Sequence, residues 1–388
     1  MTRGKASTRS TVRSRVGAVN DEASEKIVQM RKEVILIMEK KMRKLHAVFL
    51  MLFGVLALQG RAQQAPPLRL IQTIRLPDTE GNFSHFGLDL KGNRLFATLE
   101  KLKSVDVLDL RTLKPIHRIS GIEEPVSVFY RADLDRIYVT DDPSAALKIY
   151  DGKTYTLIKS VKLLLDAESI AYDAASKYLY VLNGGADEHQ TYAMVSIVDT
   201  TAGEKVADIK VDSEAIKGIA VEKSSPKIYV SNRAKNQIDV IDRERRNIIS
   251  SWPVTLCKAN LTLALDEPDH RLFVACRSGS IVVFDTVTGK ELQALPIGEG
   301  GYELAFNPAD KRIYAPSGAG GGSVDVYEET DPDHYKFLGK VPSGPLARTA
   351  LLVPELHRYF VAVPKHENTD AEILVYATEG GDTKNLKR

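Results

Sequence analysis

One pentapeptide returns seven times and constrains this chain more than any other feature. Arg94-Leu-Phe-Ala-Thr98 recurs as Arg136-Ile-Tyr-Val-Thr140, Tyr178-Leu-Tyr-Val-Leu182, Lys227-Ile-Tyr-Val-Ser231, Arg271-Leu-Phe-Val-Ala275, Arg312-Ile-Tyr-Ala-Pro316 and Arg358-Tyr-Phe-Val-Ala362. The aromatic anchors Phe96, Tyr138, Tyr180, Tyr229, Phe273, Tyr314 and Phe360 are spaced by 42, 42, 49, 44, 41 and 46 residues. Each copy reads as four short apolar runs between turn clusters. In the fifth, these are Leu261–Leu265, Arg271–Ala275, Ser280–Phe284 and Glu291–Leu295. Runs of about 4–8 β-branched and aromatic residues bounded by turn formers are strand signals, and no sustained helical periodicity interrupts them. Four strands every ~40–45 residues is the period of a propeller blade, a sheet that hides its faces only by stacking on neighbours. The expected fold is all-β: a seven-bladed propeller with four antiparallel strands per blade.

The ends of the repeat predict how the ring closes. The seventh copy supplies three strands and stops after Ala371–Tyr376, whereas Leu68–Leu76 is a strand preceding the first full copy. Pairing the two completes the last blade and hides an edge otherwise open to association.

The flanking segments follow a different logic. Residues 1–62 hold 13 of the 53 Lys and Arg but 5 of the 51 Asp and Glu, so the repeat region is mildly acidic. That excludes a basic nucleic-acid binder. Residues 45–58, LHAVFLMLFGVLAL, follow Lys40, Lys41, Arg43 and Lys44 and precede Gly60-Arg61-Ala62. A basic stretch, an apolar run of ~7–15 residues and a small-residue site describe a cleaved export signal. A permanent anchor would need ~20 apolar residues. Residues 1–41 read as an extension outside the native start, 42–62 as the signal, 63–378 as one propeller and 379–388 as a polar tail. The expected location is the periplasm or the exterior, with a mature start near Gln63. Cys257 and Cys276 fit either one disulfide, which an oxidising compartment permits, or two buried thiols.

Lys227-Ile-Tyr-Val-Ser-Asn232 with Gln237–Asp242 resembles a YVTN repeat, as do Arg136–Asp141 with Leu147–Asp151 and Tyr180–Asn183 with Val195–Asp199. Over roughly residues 68–378 the chain is similar to the YVTN-repeat, YncE-like seven-bladed propellers. Their Gly-x-x-x-Pro connector survives as Gly121–Pro125 and is lost from most other copies. The resemblance implies an exported protein and is weak for activity; a related set of seven-bladed propellers are lactonases. The single Trp252 argues against WD40 repeats.

Most conspicuous residues have an architectural explanation. Asp109, Asp151, Asp199, Asp242 and Asp285 end third strands, where Asp bonds the following backbone and starts a turn, with Gly152, Gly203 or Gly289 available for positive φ. The aromatic anchors are expected to pack between blades. No HExxH, GxSxG or P-loop occurs; Gly318–Gly322 reads as a flexible loop. Asp187-Glu188-His189, in the longest repeat, reads as a solvated loop rather than a metal site.

Function is expected where the loops entering first strands and those joining second to third strands open on one face. Twelve residues before the anchors stand Ser84, Val126, Glu168, Lys217, Leu261, Tyr302 and Arg348; one later come His85, Ser127, Ser169, Gly218, Thr262, Glu303 and Thr349. The next row is uniformly apolar. Positions that differ between equivalent points of a scaffold are where a grafted site belongs. With the second loop set, the candidate mouth residues are His85, Asp141, Glu168, Lys217, Asn232, Arg233, Arg277, Tyr302, Glu303, Arg348 and His366. The mixture suits a polar small molecule or a protein or peptide segment bound by a monomer. It calls for no cofactor, with a divalent metal left open, and for neither nucleic acid nor a membrane anchor. Binding is favoured over catalysis. The alternative is a lactonase-type hydrolase, possibly metal-dependent, using Glu168, Glu303 and His85.

Overall fold

The computed structural model describes residues 29–34, 36–44 and 65–378. It divides into two compact units, Met1–Ala65 and Pro66–Arg388. In the first, residues 29–34 and 36–44 are helical. The apolar run 45–58, the expected cleavage region and the tail 379–388 lie outside the described residues. Among the described residues no helix is long and apolar enough to cross a membrane.

The second unit is a seven-bladed β-propeller. Strand β1 (Leu68–Leu76) comes first. Blade 1 is β2 (Phe83–Asp89), β3 (Arg94–Leu99), β4 (Ser104–Asp109) and β5 (Lys114–Ile119). Blade 2 is β6 (Pro125–Arg131), β7 (Arg136–Asp141), β8 (Ala146–Asp151) and β9 (Leu157–Lys162). Blade 3 is β10 (Ile170–Asp173), β11 (Tyr178–Gly184), β12 (Ala193–Asp199) and β13 (Glu204–Val211). Blade 4 is β14 (Ile216–Val221), β15 (Lys227–Asn232), β16 (Gln237–Asp242) and β17 (Asn247–Pro253). Blade 5 is β18 (Asn260–Asp266), β19 (Arg271–Cys276), β20 (Ser280–Asp285) and β21 (Glu291–Pro296). Blade 6 is β22 (Ala305–Asn307), β23 (Arg312–Ser317), β24 (Ser323–Asp331) and β25 (His334–Pro342), and blade 7 contributes β26 (Thr349–Val353), β27 (Arg358–Val363) and β28 (Ala371–Thr378).

The seventh sheet has the order β1-β28-β27-β26, so the N-terminal strand closes the ring as the sequence predicts. The antiparallel register sets Ile74 against Ile373 and Leu76 against Ala371. First strands of successive blades abut all the way round, and β2 meets β26 at the closure. Second and third strands are sandwiched between neighbouring blades, so β3, β7, β15 and β19 read as nearly unbroken buried runs. Every anchor from Phe96 to Phe360 is buried. Ring pairs carry the packing across seams: Phe129 lies 4.6 Å from Tyr172, and Tyr314 stacks 5.2 Å from Tyr359.

Outer strands carry a device that the sequence reading did not detect. Each of the seven has one bulge, and the extra residue is always aliphatic: Ile71, Ile116, Ile158, Val206, Ile249, Leu292 and Leu338. A bulge sharpens the local twist. Five of the seven, Ile116, Ile158, Val206, Ile249 and Leu292, are consequently exposed on the outer edge.

The third-strand Asp residues behave as read. Asp109 and Asp285, for example, each accept two backbone N–H groups of the following turn. Gly203 and Gly289 take positive φ, but Gly152 does not; in that turn Tyr155 is the left-handed residue. Gly152 is glycine for a different reason: a Cβ there would stand 1.9 Å from Asp135 Oδ1. Gly322 is also packed, against the Gly344 carbonyl, so the 318–322 segment is held rather than loose at that point. Cys257 and Cys276 form a disulfide, tying the link before β18 to β19.

Candidate functional site

The two rows of residues before the first strands divide by role. Small side chains in the second row stitch blades together. Thr349 Oγ1 donates to the carbonyl oxygens of Phe83 (2.8 Å) and Ser84 (2.9 Å), Thr262 Oγ1 to that of Tyr302 (2.6 Å), and Ser169 Oγ to that of Lys217. Gly218 continues the row because a Cβ would meet the Leu261 carbonyl oxygen at 2.1 Å. His85 and Glu303 are left to carry chemistry. Crowding at the axis therefore uses up most of one row.

His85 and Glu303 meet across the opening, blade 1 to blade 6, with Nδ1 2.6 Å from Oε1. The Tyr302 hydroxyl lies 3.5 Å from His85 Nε2, their rings 5.4 Å apart. The Arg348 guanidinium rests 5.2 Å over the Tyr302 ring, a cation–π contact. Burial pushes the His85 imidazole down, but Glu303, with help from Glu168 and Glu100, outweighs it and holds its pKa above the usual value. Burial, reinforced by Glu168 and Glu303, pushes the Tyr302 phenol well up.

Lys217 is not a free cation. Its ammonium bonds Glu168 (2.7 Å) and both oxygens of Asp166 (2.8 and 3.0 Å). Asp166 was missed in the sequence, although it occupies the same offset from its anchor as Glu124. Burial lifts its carboxyl to about 6, against the pull of Lys217.

Arg233, Arg277 and Arg348 differ from Lys217. Arg233 lies in the β15–β16 turn, Arg277 in the β19–β20 turn and Arg348 just before β26, all half-buried at the same end of the ring. Among the described residues no carboxylate lies within ion-pair distance of any of them. Burial, then the neighbouring Arg233 and Arg348, pull the Arg277 pKa below the usual guanidinium value.

The remaining candidates are occupied within their own blades. Asp141 is fully buried, accepts the Glu123 and Glu124 N–H groups and pairs with Lys148 at 2.6 Å. Asn232 bonds Asp239 (2.7 Å) and Ser213 (2.7 Å). His366 Nδ1 lies 3.0 Å from the Pro364 carbonyl oxygen, in the β27–β28 loop. The Asp187-Glu188-His189 triplet does not converge: Glu188 accepts the Leu165 N–H (2.7 Å) and His189 ends a 3-10 turn in left-handed conformation. Asp187 instead joins Asp142 and Asp166, with one oxygen of each within 4.8 Å of the others. A cation of suitable size could be held there. A second carboxylate group, Asp266, Asp269 and Glu329, lies at the opposite end and already holds the Lys311 ammonium, 2.5 Å from Asp266 and 2.6 Å from Asp269.

A cleft of about 470 Å³ lies away from the mouth, between the end of β1 and β5, and is lined by Arg75, Asp78, Ile116 and Arg118. Arg118 is committed to Asp106 at 2.6 and 2.9 Å. The cleft contains none of the residues that the sequence marks as functional.

A closed ring of seven four-stranded blades with a polar, charged mouth defines a seven-bladed β-propeller. Its curated relatives are YncE-like and propeller proteins. The chain is similar to the uncharacterized protein YncE of Salmonella typhi, 30% identical over 99 residues, 26% of this chain and 28% of that one. It is also similar to the seven-bladed beta-propeller protein Rv1057 of Mycobacterium tuberculosis, 26% identical over 133 residues, 34% of this chain and 33% of that one. The matched stretches thus span about a third or less of each relative. No protein-family model matches the chain. Among solved structures, a chain of the mitotic checkpoint complex superposes with TM-score 0.68 at 12% identity, over 83% of this chain and 94% of that one. A chain of Kuenenia stuttgartiensis hydrazine synthase does so with TM-score 0.65 at 16% identity, over 78% and 98%. Likenesses at such identity establish the fold alone.

Proposed function

We propose that this propeller is an exported binding protein whose channel mouth takes a polar small molecule or partner segment by an anionic group. The observation that supports this reading is the set of three half-buried guanidiniums, Arg233, Arg277 and Arg348, gathered from blades 4, 5 and 7 with no carboxylate partner among the described residues. Cations in a concave, partly desolvated site attract an anion, and guanidinium clamps carboxylate or phosphate through paired hydrogen bonds. Lys217, the remaining cation among the candidate mouth residues, is spent on Asp166 and Glu168 and is not free for this task.

The test is a thermal-shift screen of carboxylates and phosphates, followed by titration. Arg348→Ala should weaken the best anion by about 10- to 100-fold, the range for losing a charged hydrogen-bond partner, with little change in melting. Thr112→Ala, in the turn at the opposite end, should change neither. Equal loss from both variants would defeat the assignment. The hydrolase reading rests on the His85–Glu303 pair, an imidazole held by a carboxylate as a general base would be. Lactone or ester hydrolysis abolished by His85→Asn would favour it, and a panel without turnover would remove it.

A further inference from the structure

The half-buried charges around the mouth are sorted by blade. Glu100 lies in the β3–β4 turn of blade 1, Glu124 just before β6 and Asp142 in the β7–β8 turn of blade 2. Asp166, Glu168 and Asp187 belong to blade 3, with Asp187 the exposed member. The cations Lys217, Arg233, Arg277 and Arg348 belong to blades 4, 4, 5 and 7. Glu303 of blade 6 departs from this pattern and is spent on His85, as does Lys148 of blade 2, which is spent on Asp141.

Each pole crowds like charges. Burial, then Glu100 and Asp142, push the Glu124 carboxyl up. Burial raises Asp142 as well, and Asp187 adds to it. On the other side Arg277 is depressed by burial and by Arg233 and Arg348. The Glu100 carboxylate accepts the Ser84 hydroxyl at 2.7 Å, and among the described residues no cation pairs with Glu100 or Glu124. Tyr302 of blade 6 touches His85 on one hand and carries the Arg348 guanidinium over its ring on the other. Unpaired like charges in a partly desolvated setting repel, and a group of opposite charge relieves each set.

We infer that the ligand of this mouth is amphoteric, a small molecule of the amino-acid kind that places its anionic group on Arg233, Arg277 and Arg348 and its cationic group toward Glu100 and Glu124. The inference rests on the anion-binding reading above and names the ligand class it leaves open. A purely anionic ligand would satisfy the guanidinium pole and leave the acidic pole crowded. A purely cationic one would do the reverse.

The experiment uses the full chain and a matched series: ω-amino acids of two to six carbons, and the monocarboxylic acid and the primary amine of each length, titrated calorimetrically near pH 7.5. The expected result is that at least one amino acid binds about tenfold or more tighter than both its acid and its amine. Glu100→Gln should lower that amino acid to the affinity of the acid, and Arg277→Gln to that of the amine. The wild-type series decides the matter even if a variant folds poorly. Acids binding as tightly as amino acids would overturn the amphoteric assignment while leaving the anion site standing. Failure of every acid and amino acid to bind would overturn both.

Discussion

Glu329 offers the sharpest test of how this ring is held at the end opposite the mouth. It lies on β24 of blade 6 and faces Asp266 at the end of β18 of blade 5, each buried to within a few per cent. Asp266 Oδ1 and Glu329 Oε2 are buried with no hydrogen-bond partner of their own. Lys311 is drawn to the other Asp266 oxygen and to Asp269, lying 3.7 Å from Glu329, while the Tyr335 hydroxyl donates to Glu329 Oε1 at 3.2 Å. Two facing buried carboxylates cannot both ionise at low cost. Burial, with Asp266 reinforcing it, accordingly raises Glu329 from 4.5 to about 7. Between those two values the folded protein keeps a proton that the unfolded chain has released. Stability therefore falls as pH rises through this window, is flat above about 7, and is unaffected below 4.5. The full shift corresponds to at most about 3 kcal/mol. Glu329→Gln keeps the shape and removes the titration. Its melting temperature should match or fall slightly below the parent's at pH 4.5 and exceed it by several degrees at pH 8. A difference between variant and parent that stays constant from pH 5 to 8 would refute the shared-proton argument.

Two structural predictions accompany it. Removing residues 66–76 deletes β1, uncovers the edge of β28 and exposes the faces that Leu68, Ile74 and Leu76 bury; the truncated chain should aggregate or melt far below the parent, and an unchanged melting curve would sink the closure argument. Gly218→Ala drives a methyl into the Leu261 carbonyl oxygen where β14 passes β18, so it should cost more than about 1–3 kcal/mol, the usual range for overpacking, in denaturant titrations, whereas Thr262→Val should cost about 1 kcal/mol for one lost hydrogen bond.

The fold was legible because second and third strands are buried on both faces by neighbouring blades, which forces the same apolar run and the same anchor into every copy. Closure was legible for a related reason: a lone strand at one end and a three-strand blade at the other have one low-cost solution. The mouth was only partly legible, because its chemistry is decided between blades. Alternation along a strand separates neighbours in sequence: three residues past the anchor stand Asp141, Asn183 and Asn232, buried and bonded to their own links, and four past it stand Glu100, Asp142, Arg233 and Arg277, half-buried in the turns at the mouth end. Reading that single offset through all seven copies would have found Glu100. Nothing in the sequence distinguishes Lys217, neutralised by Asp166 and Glu168, from Arg348, because their partners come from different blades. The Cys257–Cys276 pairing was likewise open, since it depends on a link of one blade folding back over the second strand that follows it.

His85 couples the mouth to pH. When its imidazole is protonated the His85–Glu303 pair is neutral overall, and on deprotonation it carries one negative charge. Burial disfavours the protonated form, yet the carboxylate at 2.6 Å wins, so the transition lies above the usual histidine value of about 6.5. Anion binding should thus weaken as pH rises through that point. For one unit charge several Å from the ligand at intermediate dielectric, the effect is about 1 kcal/mol, or about fivefold in Kd. Asp166, lifted to about 6, also gains negative charge as pH rises, but it completes that change at lower pH. The measurement is therefore Kd for the best anion from pH 6.5 to 8.5, in the parent and in His85→Gln. The parent should lose affinity across this range and the variant should not. An identical slope in both would show that the imidazole does not set the charge of the mouth, leaving its bond to Glu303 as a brace between blades 1 and 6.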